Sequence, residues 1–122
     1  MNIEEVRTFA LSLHEGVTEE LFADHWISFR VEGKWFLLMQ LDAPEPRVAV
    51  KMRPEVAQEL REQHDGVRPA YHMNKAHWSD LYLEQMDGTL VRQCIRESYQ
   101  LIVSRLPKAS RAKYGPQCKE RT

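Results

Sequence analysis

Residues 26–41, WISFRVEGKWFLLMQL, leave little choice of architecture. Ile27, Phe29 and Val31 alternate with polar side chains, the period of a strand with one buried face. Glu32-Gly33 then falls where a tight hairpin turn is needed, and Gly33 tolerates the positive φ of such a turn. The next run, Trp35 to Leu41, is apolar on both faces, which predicts a central, well-covered strand. APEP at 43–46 breaks the pattern, and RVAVKM resumes it as a third antiparallel strand.

Helical periods flank this meander. Ile3, Val6, Phe9, Ala10 and Leu13 recur at three- and four-residue steps, predicting a helix over 2–14 that Gly16 stops. Asn2 and Glu5 have the spacing of a capping box, and Glu4 and Glu5 suit the positive end of the helix dipole. Pro54 opens a second helix with a narrow stripe of Val56, Ala57 and Leu60, ended by Gly66. WSDLYL, Trp78 to Leu83, reads as a short strand. A last helix starts at Asp87-Gly88-Thr89, where Asp87 or Thr89 can cap. It carries Leu90, Val91, Cys94, Ile95, Ser98, Leu101 and Ile102 on one face, and Pro107 closes it.

The order α-β-β-β-α-β-α predicts an α+β domain, an antiparallel sheet of about four or more strands with helices packed on it. The 122 residues fit one such domain, taken as residues 1–107. Residues 108–122 are basic and have no apolar period, which predicts a flexible tail. Hydrophobic content of 43% and charged content of 29% exclude a globally disordered chain. The longest apolar run, Trp35 to Met39, is far short of the ~20 residues of a membrane span. The acidic start, MNIEEVRTF, has no basic region or apolar stretch of a signal peptide, so the cytoplasm is the expected location. Cys94 and Cys118 read as free thiols, Cys94 buried and Cys118 exposed.

The net charge of −1 hides a split. Residues 1–65 carry 13 acidic and 7 basic side chains, whereas residues 66–122 carry 5 acidic and 10 basic. Such asymmetry marks either a basic binding surface or a solvated helix face with a basic tail.

The densest chemistry lies in RPAYHMNKAHW, residues 68–78, in the connection between the second helix and the following strand. Pro69 biases Arg68 toward extended backbone. A metal site fits poorly. His72 and His77 are five residues apart, which places them roughly 140° apart on a helix and on opposite faces of a strand. Nucleophilic catalysis fits poorly as well: there is no GxSxG elbow, and Cys94 lies on an apolar helix face. General acid–base work by His72 or His77 remains chemically open. Two readings suit the residue types better. As an anion clamp, Arg68 offers a planar fork, Lys75 a point charge, and His72, Asn74 and His77 donors, with Tyr71 and Trp78 as flat surfaces. As a structural loop, Tyr71, Met73 and Trp78 pin it to the core while Asn74 and the histidines satisfy backbone groups.

With VRPAYHMNKAHW at 67–78, FRVEGKWFLLM at 29–39, NIEEVR, GVTEE, ELREQ and ESYQLIVSRLPK in the same order, the chain resembles the MmcQ/YjbR family of small bacterial proteins over essentially residues 1–108. The motif ending at Trp78 is the specific one. Arg53 departs from the pattern, where a capping Asp or Asn is more natural, and residues 109–122 extend past the usual end. The resemblance implies an α+β fold like that of the frataxin-type CyaY proteins, also described as a double wing. It also implies a suggested DNA-binding role resting on fold analogy, no established catalytic residues, and Arg68 to Trp78 as the signature stretch.

These readings favour a binding module over an enzyme, with nucleic acid as the first candidate partner. The basic second half, Arg68, Lys75, and Lys108, Arg111, Lys113, Lys119 and Arg121 in the tail support it. The slight overall acidity and a sequence pI of about 6.5 count against a dedicated nucleic-acid binder. The alternative is a small anionic ligand or a protein partner at the Arg68–Trp78 loop. An iron-associated role by fold analogy has only Glu4, Glu5, Glu15, Glu19 and Glu20 to offer, so no metal or other cofactor is expected.

Overall fold

The structure, a computed structural model, describes residues 1–71 and 73–114. Asn2 Oδ1 accepts the Glu5 N–H at 2.8 Å and Glu5 Oε1 accepts the Asn2 N–H at 2.9 Å, so the capping box opens α1 (Ile3–Ser12). Four strands follow as a meander: β1 (Thr18–Ala23), β2 (Trp26–Val31), β3 (Lys34–Gln40) and β4 (Arg47–Lys51). Helix α2 (Pro54–Gln63) leads to β5 (Val67–Pro69), and the chain returns through β6 (Trp78–Tyr82). One turn of 3₁₀ helix then precedes α3 (Gly88–Ser104), capped by Asp87 Oδ1 on the Thr89 N–H at 2.9 Å. Among the described residues the sheet has six strands in the order β1-β2-β3-β4-β6-β5, and each of these pairings is antiparallel.

The α+β class stands, and the order gains two strands that the residue periods do not announce. β1 is an edge strand whose side chains are nearly all exposed, so it has no buried face to alternate against. Arg7 of α1 ties it down through two hydrogen bonds to Glu19. β5 is three residues long and includes Pro69, which only an edge position tolerates.

Helices α1, α2 and α3 all cover one face of the sheet. Val6, Ala10, Ala57, Val91, Cys94, Ile95 and Ile102 pack there against Phe29, Leu37, Met39, Val48, Val50 and Leu81. The hairpin turn between β2 and β3 has φ of 50° at Glu32 and 77° at Gly33, the left-handed pair expected of a two-residue loop. Just beyond it the ladder is bulged: Phe29 pairs with Leu37 and Arg30 with Trp35, leaving Phe36 as the extra residue. Phe36 and Leu37 are therefore both fully buried in the helix-covered core, and Trp35 turns to the other face. Ser98 of α3 locks this region. Its hydroxyl donates to the Phe36 carbonyl at 2.6 Å and accepts the Lys51 N–H at 2.9 Å.

On the opposite face a smaller cluster forms from Leu38, Ala49, Ala70 and Trp78, flanked by Trp26, Trp35 and Met73. The first part of the segment expected as a flexible tail from residue 108 has regular secondary structure. Residues Lys108–Arg111 form a short helix α4 and Ala112–Tyr114 a 3₁₀ turn. Tyr114 anchors them: its ring lies 4.6 Å from His14 and its hydroxyl donates to Glu32 Oε2 at 2.6 Å. Gly16 makes room, since a Cβ there would stand 3.0 Å from the Tyr114 ring. A single aromatic anchor has no period, so the sequence pattern cannot display it. Residues 115–122, with Cys118, Lys119 and Arg121, lie outside the described residues.

Candidate functional site

The loop between β5 and β6 is held mainly from α2. Arg61 donates to the Lys75 carbonyl at 2.7 Å, the Trp78 carbonyl at 3.0 Å and the Ser79 hydroxyl at 2.9 Å. Asn74 closes the turn from inside. Its Oδ1 accepts the Ala76 N–H at 2.9 Å, and its carbonyl accepts the N–H groups of His77 and Trp78. The His77 carbonyl accepts the Met52 N–H at 2.7 Å, joining the loop to the end of β4.

The residues singled out in this stretch do not gather at one spot. Arg68 lies opposite Asp80, with its guanidinium 4.4 Å from the Tyr82 ring and donating to the Asp65 carbonyl and Gln85 Oε1. The Lys75 ammonium donates to the Ala70 carbonyl at 3.2 Å, at the start of β6. The two cations thus stand toward opposite ends of β6. Trp78 is buried in the smaller cluster, and Asn74 uses its side chain on the turn. Tyr71 is 72% exposed, with its backbone N–H bonded to Asp80 Oδ2. His77 is half-buried, and His72 lies outside the described residues.

A different concentration of charge emerges where β2, β4 and α3 end and β3 and β6 begin. Lys34, Lys51 and Arg53, Lys75, and Arg105 all occupy this end of the fold, with Glu32 beside them in the turn between β2 and β3. Lys108, Arg111 and Lys113 follow directly, with Arg111 donating to the Ser104 carbonyl at the C-terminus of α3. The opposite end carries Asp24, Asp42, Glu45 and Glu84 in its turns. Burial pushes the Lys51 amino group below the ordinary lysine value, and the charges of Arg105 and Lys34 push it further the same way. The division of the sequence into an acidic and a basic half misses this arrangement, because residues 34 and 51 belong to the acidic half. The signal available in the sequence was positional: a lysine just after the hairpin glycine, one ending a strand and an arginine ending a helix.

The sheet face away from the helices presents Trp26 and Arg30 from β2, Trp35 from β3, Arg47 from β4 and Tyr82 from β6. Arg30 stands 5.6 Å from the Trp35 ring centre and 3.4 Å from Glu20. Arg47 stands 5.7 Å from the Tyr82 ring centre and 3.9 Å from Asp80.

Among the described residues, no group of three His, Cys, Asp or Glu side chains is placed to hold a metal ion, and no helix is long and apolar enough to cross a membrane. The Cys94 thiol is pushed up to about 12, by burial first and then by Glu97. It is therefore a packing group and not a nucleophile. In a Cys118→Ser background, we expect no reaction with a thiol reagent at pH 8 until denaturant is added. Rapid labelling of the folded protein would contradict this placement of Cys94.

Comparison with known proteins follows the same lines. The sequence profile of the YjbR family matches residues 11–101. The uncharacterised protein YjbR of Escherichia coli K12 is 39% identical over 83 residues, covering 67% of this chain and 70% of that protein. The uncharacterised protein YbdF of Escherichia coli O157:H7 is 29% identical over 96 residues, covering 78% of this chain and 79% of the relative. The crystal structure of the Deinococcus radiodurans DUF419-domain protein DR2400 superposes with a TM-score of 0.87 at 26% identity, over 99% of this chain and 94% of that one. A Pseudomonas syringae protein shares the fold, with a TM-score of 0.71 at 24% identity over 83% of this chain and 98% of that one. With most of its length matched by the family profile and a relative at this identity, the chain belongs to the YjbR family.

Proposed function

We propose that this protein is a non-catalytic binding module whose partner is nucleic acid, engaged through the basic end of the sheet. One observation carries the reading. The ends of β4 and α3 and the start of β3 bring Lys51, Arg105 and Lys34 to one end of the sheet, where burial first and then the charges of Arg105 and Lys34 lower the Lys51 pKa. Such an arrangement holds positive charge at a free-energy cost within the fold, and a phosphate seated there relieves it. The DNA-binding role implied by the resemblance points the same way. The support comes from the end of the sheet, where cations gather, more than from the loop at 68–78, where Arg68 and Lys75 bond to their own chain.

The test is fluorescence anisotropy with a labelled oligonucleotide at two salt concentrations. We expect affinity to fall as salt rises, because phosphate contacts release counterions. The triple variant Lys34→Gln, Lys51→Gln, Arg105→Gln should weaken binding at every sequence tested. It should also flatten the slope of log affinity against log salt by about one per lost contact. Absence of binding at low salt, or binding indifferent to salt, removes the reading. A mononucleotide or dicarboxylate that competes as well as the oligonucleotide moves it to a small anionic ligand.

A further inference from the structure

We infer that the sheet face opposite the helices is a stacking platform for the bases of single-stranded nucleic acid. The inference rests on the reading above and names the form of partner it takes. The geometry that carries it is an alternation of rings and cations on one face. Arg30 pairs with Trp35 across β2 and β3, and Lys51 stands on the same face opposite Trp78, which is itself buried beneath the surface. Val50 packs under the helices, so Lys51 belongs to this opposite face, one strand from Trp35. Phe22 completes the surface from the edge strand. It is 39% exposed, 4.9 Å from the Trp35 ring and 5.9 Å from Trp26.

The Phe36 bulge makes this face. Without the extra residue, regular alternation would direct Trp35 into the helix-covered core and away from Arg30. With it, the rings of Phe22, Trp26 and Trp35 form one patch, and Arg30 and Lys51 flank it toward the end where Lys34 and Arg105 stand. Rings offer any base a flat partner, and the flanking cations suit a backbone that continues off the sheet end. A duplex suits this surface poorly. Its bases are stacked on each other, and reading it calls for an element that enters a groove. The helices α1, α2 and α3 all lie on the other side.

The deciding measurement compares three labelled strands of one length: oligo(dT), the same backbone without bases, and a duplex. We expect oligo(dT) to bind at least fivefold tighter than the abasic strand and tighter than the duplex. Phe22→Ala should erase most of the advantage over the abasic strand while leaving abasic binding unchanged, read at a temperature where its melting curve shows the variant fully folded, since the ring also packs on Trp26 and Trp35. Arg30→Gln and Trp35→Leu provide a second pair of variants, read in the same way after their melting temperatures are checked. Equal affinity for oligo(dT) and abasic strands, or an advantage that survives Phe22→Ala, overturns the platform and leaves the phosphate reading standing. Failure of all three strands to bind at low salt overturns both.

Discussion

Phe36→Ala is expected to lower stability by about 3–5 kcal/mol, which for a domain of this size corresponds to a fall in melting temperature of roughly 10–20 °C. Phe36 is fully buried, and its ring meets Tyr99 edge-on with centroids 5.6 Å apart and planes at 76°. Truncation removes the transfer free energy of the ring and leaves a cavity that a bulged strand, held on one side by Ser98 and on the other by β2, is poorly able to close. The effect also reaches the open face, because the same bulge directs Trp35 outward. Thermal or urea unfolding measures the first effect. A change in tryptophan fluorescence of the folded variant reports the second. A loss below about 1 kcal/mol would mean that Phe36 is not a packed core residue.

Arg61→Ala is expected to cost about 2–3 kcal/mol and to loosen the loop that leads into β6. The Arg61 guanidinium reaches two backbone carbonyls and the buried hydroxyl of Ser79. Burial lowers its pKa, and no carboxylate is among the causes, so its hydrogen bonds hold it there. Alanine strips donors from three acceptors at once. Hydrogen exchange should then speed up at the His77 and Trp78 N–H groups, which bond to the Asn74 carbonyl inside the same turn. Arg61→Lys should recover only part of the loss, because an ammonium cannot present the planar fork that spans these acceptors. Unchanged exchange in Arg61→Ala would show that Arg61 is not what holds the loop.

The two predictions mark different depths of legibility. The alternation of Ile27, Phe29 and Val31, the Glu32-Gly33 turn, Pro54 at the start of α2 and the stripe along α3 each carry their meaning within a few residues. The structure keeps all of them. β1 shows no comparable pattern because both of its faces meet solvent, and β5 is too short to hold one. Arg53, where a capping side chain is more natural, indeed makes no cap bond at the start of α2, and it stands at the basic end of the sheet. The signature at 68–78 is legible as a motif. Its side chains serve several separate contacts, and Arg61, its main tether, lies outside it.

The amino-acid order by itself determined the secondary structure of the meander and the long helices, the α+β class and the family, because each depends on periods and motifs local to the chain. Only the tertiary structure decided which side of the sheet Trp35 occupies and that Lys34, Lys51 and Arg105 share one end of it. The reason is that a single extra residue reverses the facing of a strand, and that charges distant in sequence become neighbours only when antiparallel strands and a helix end together.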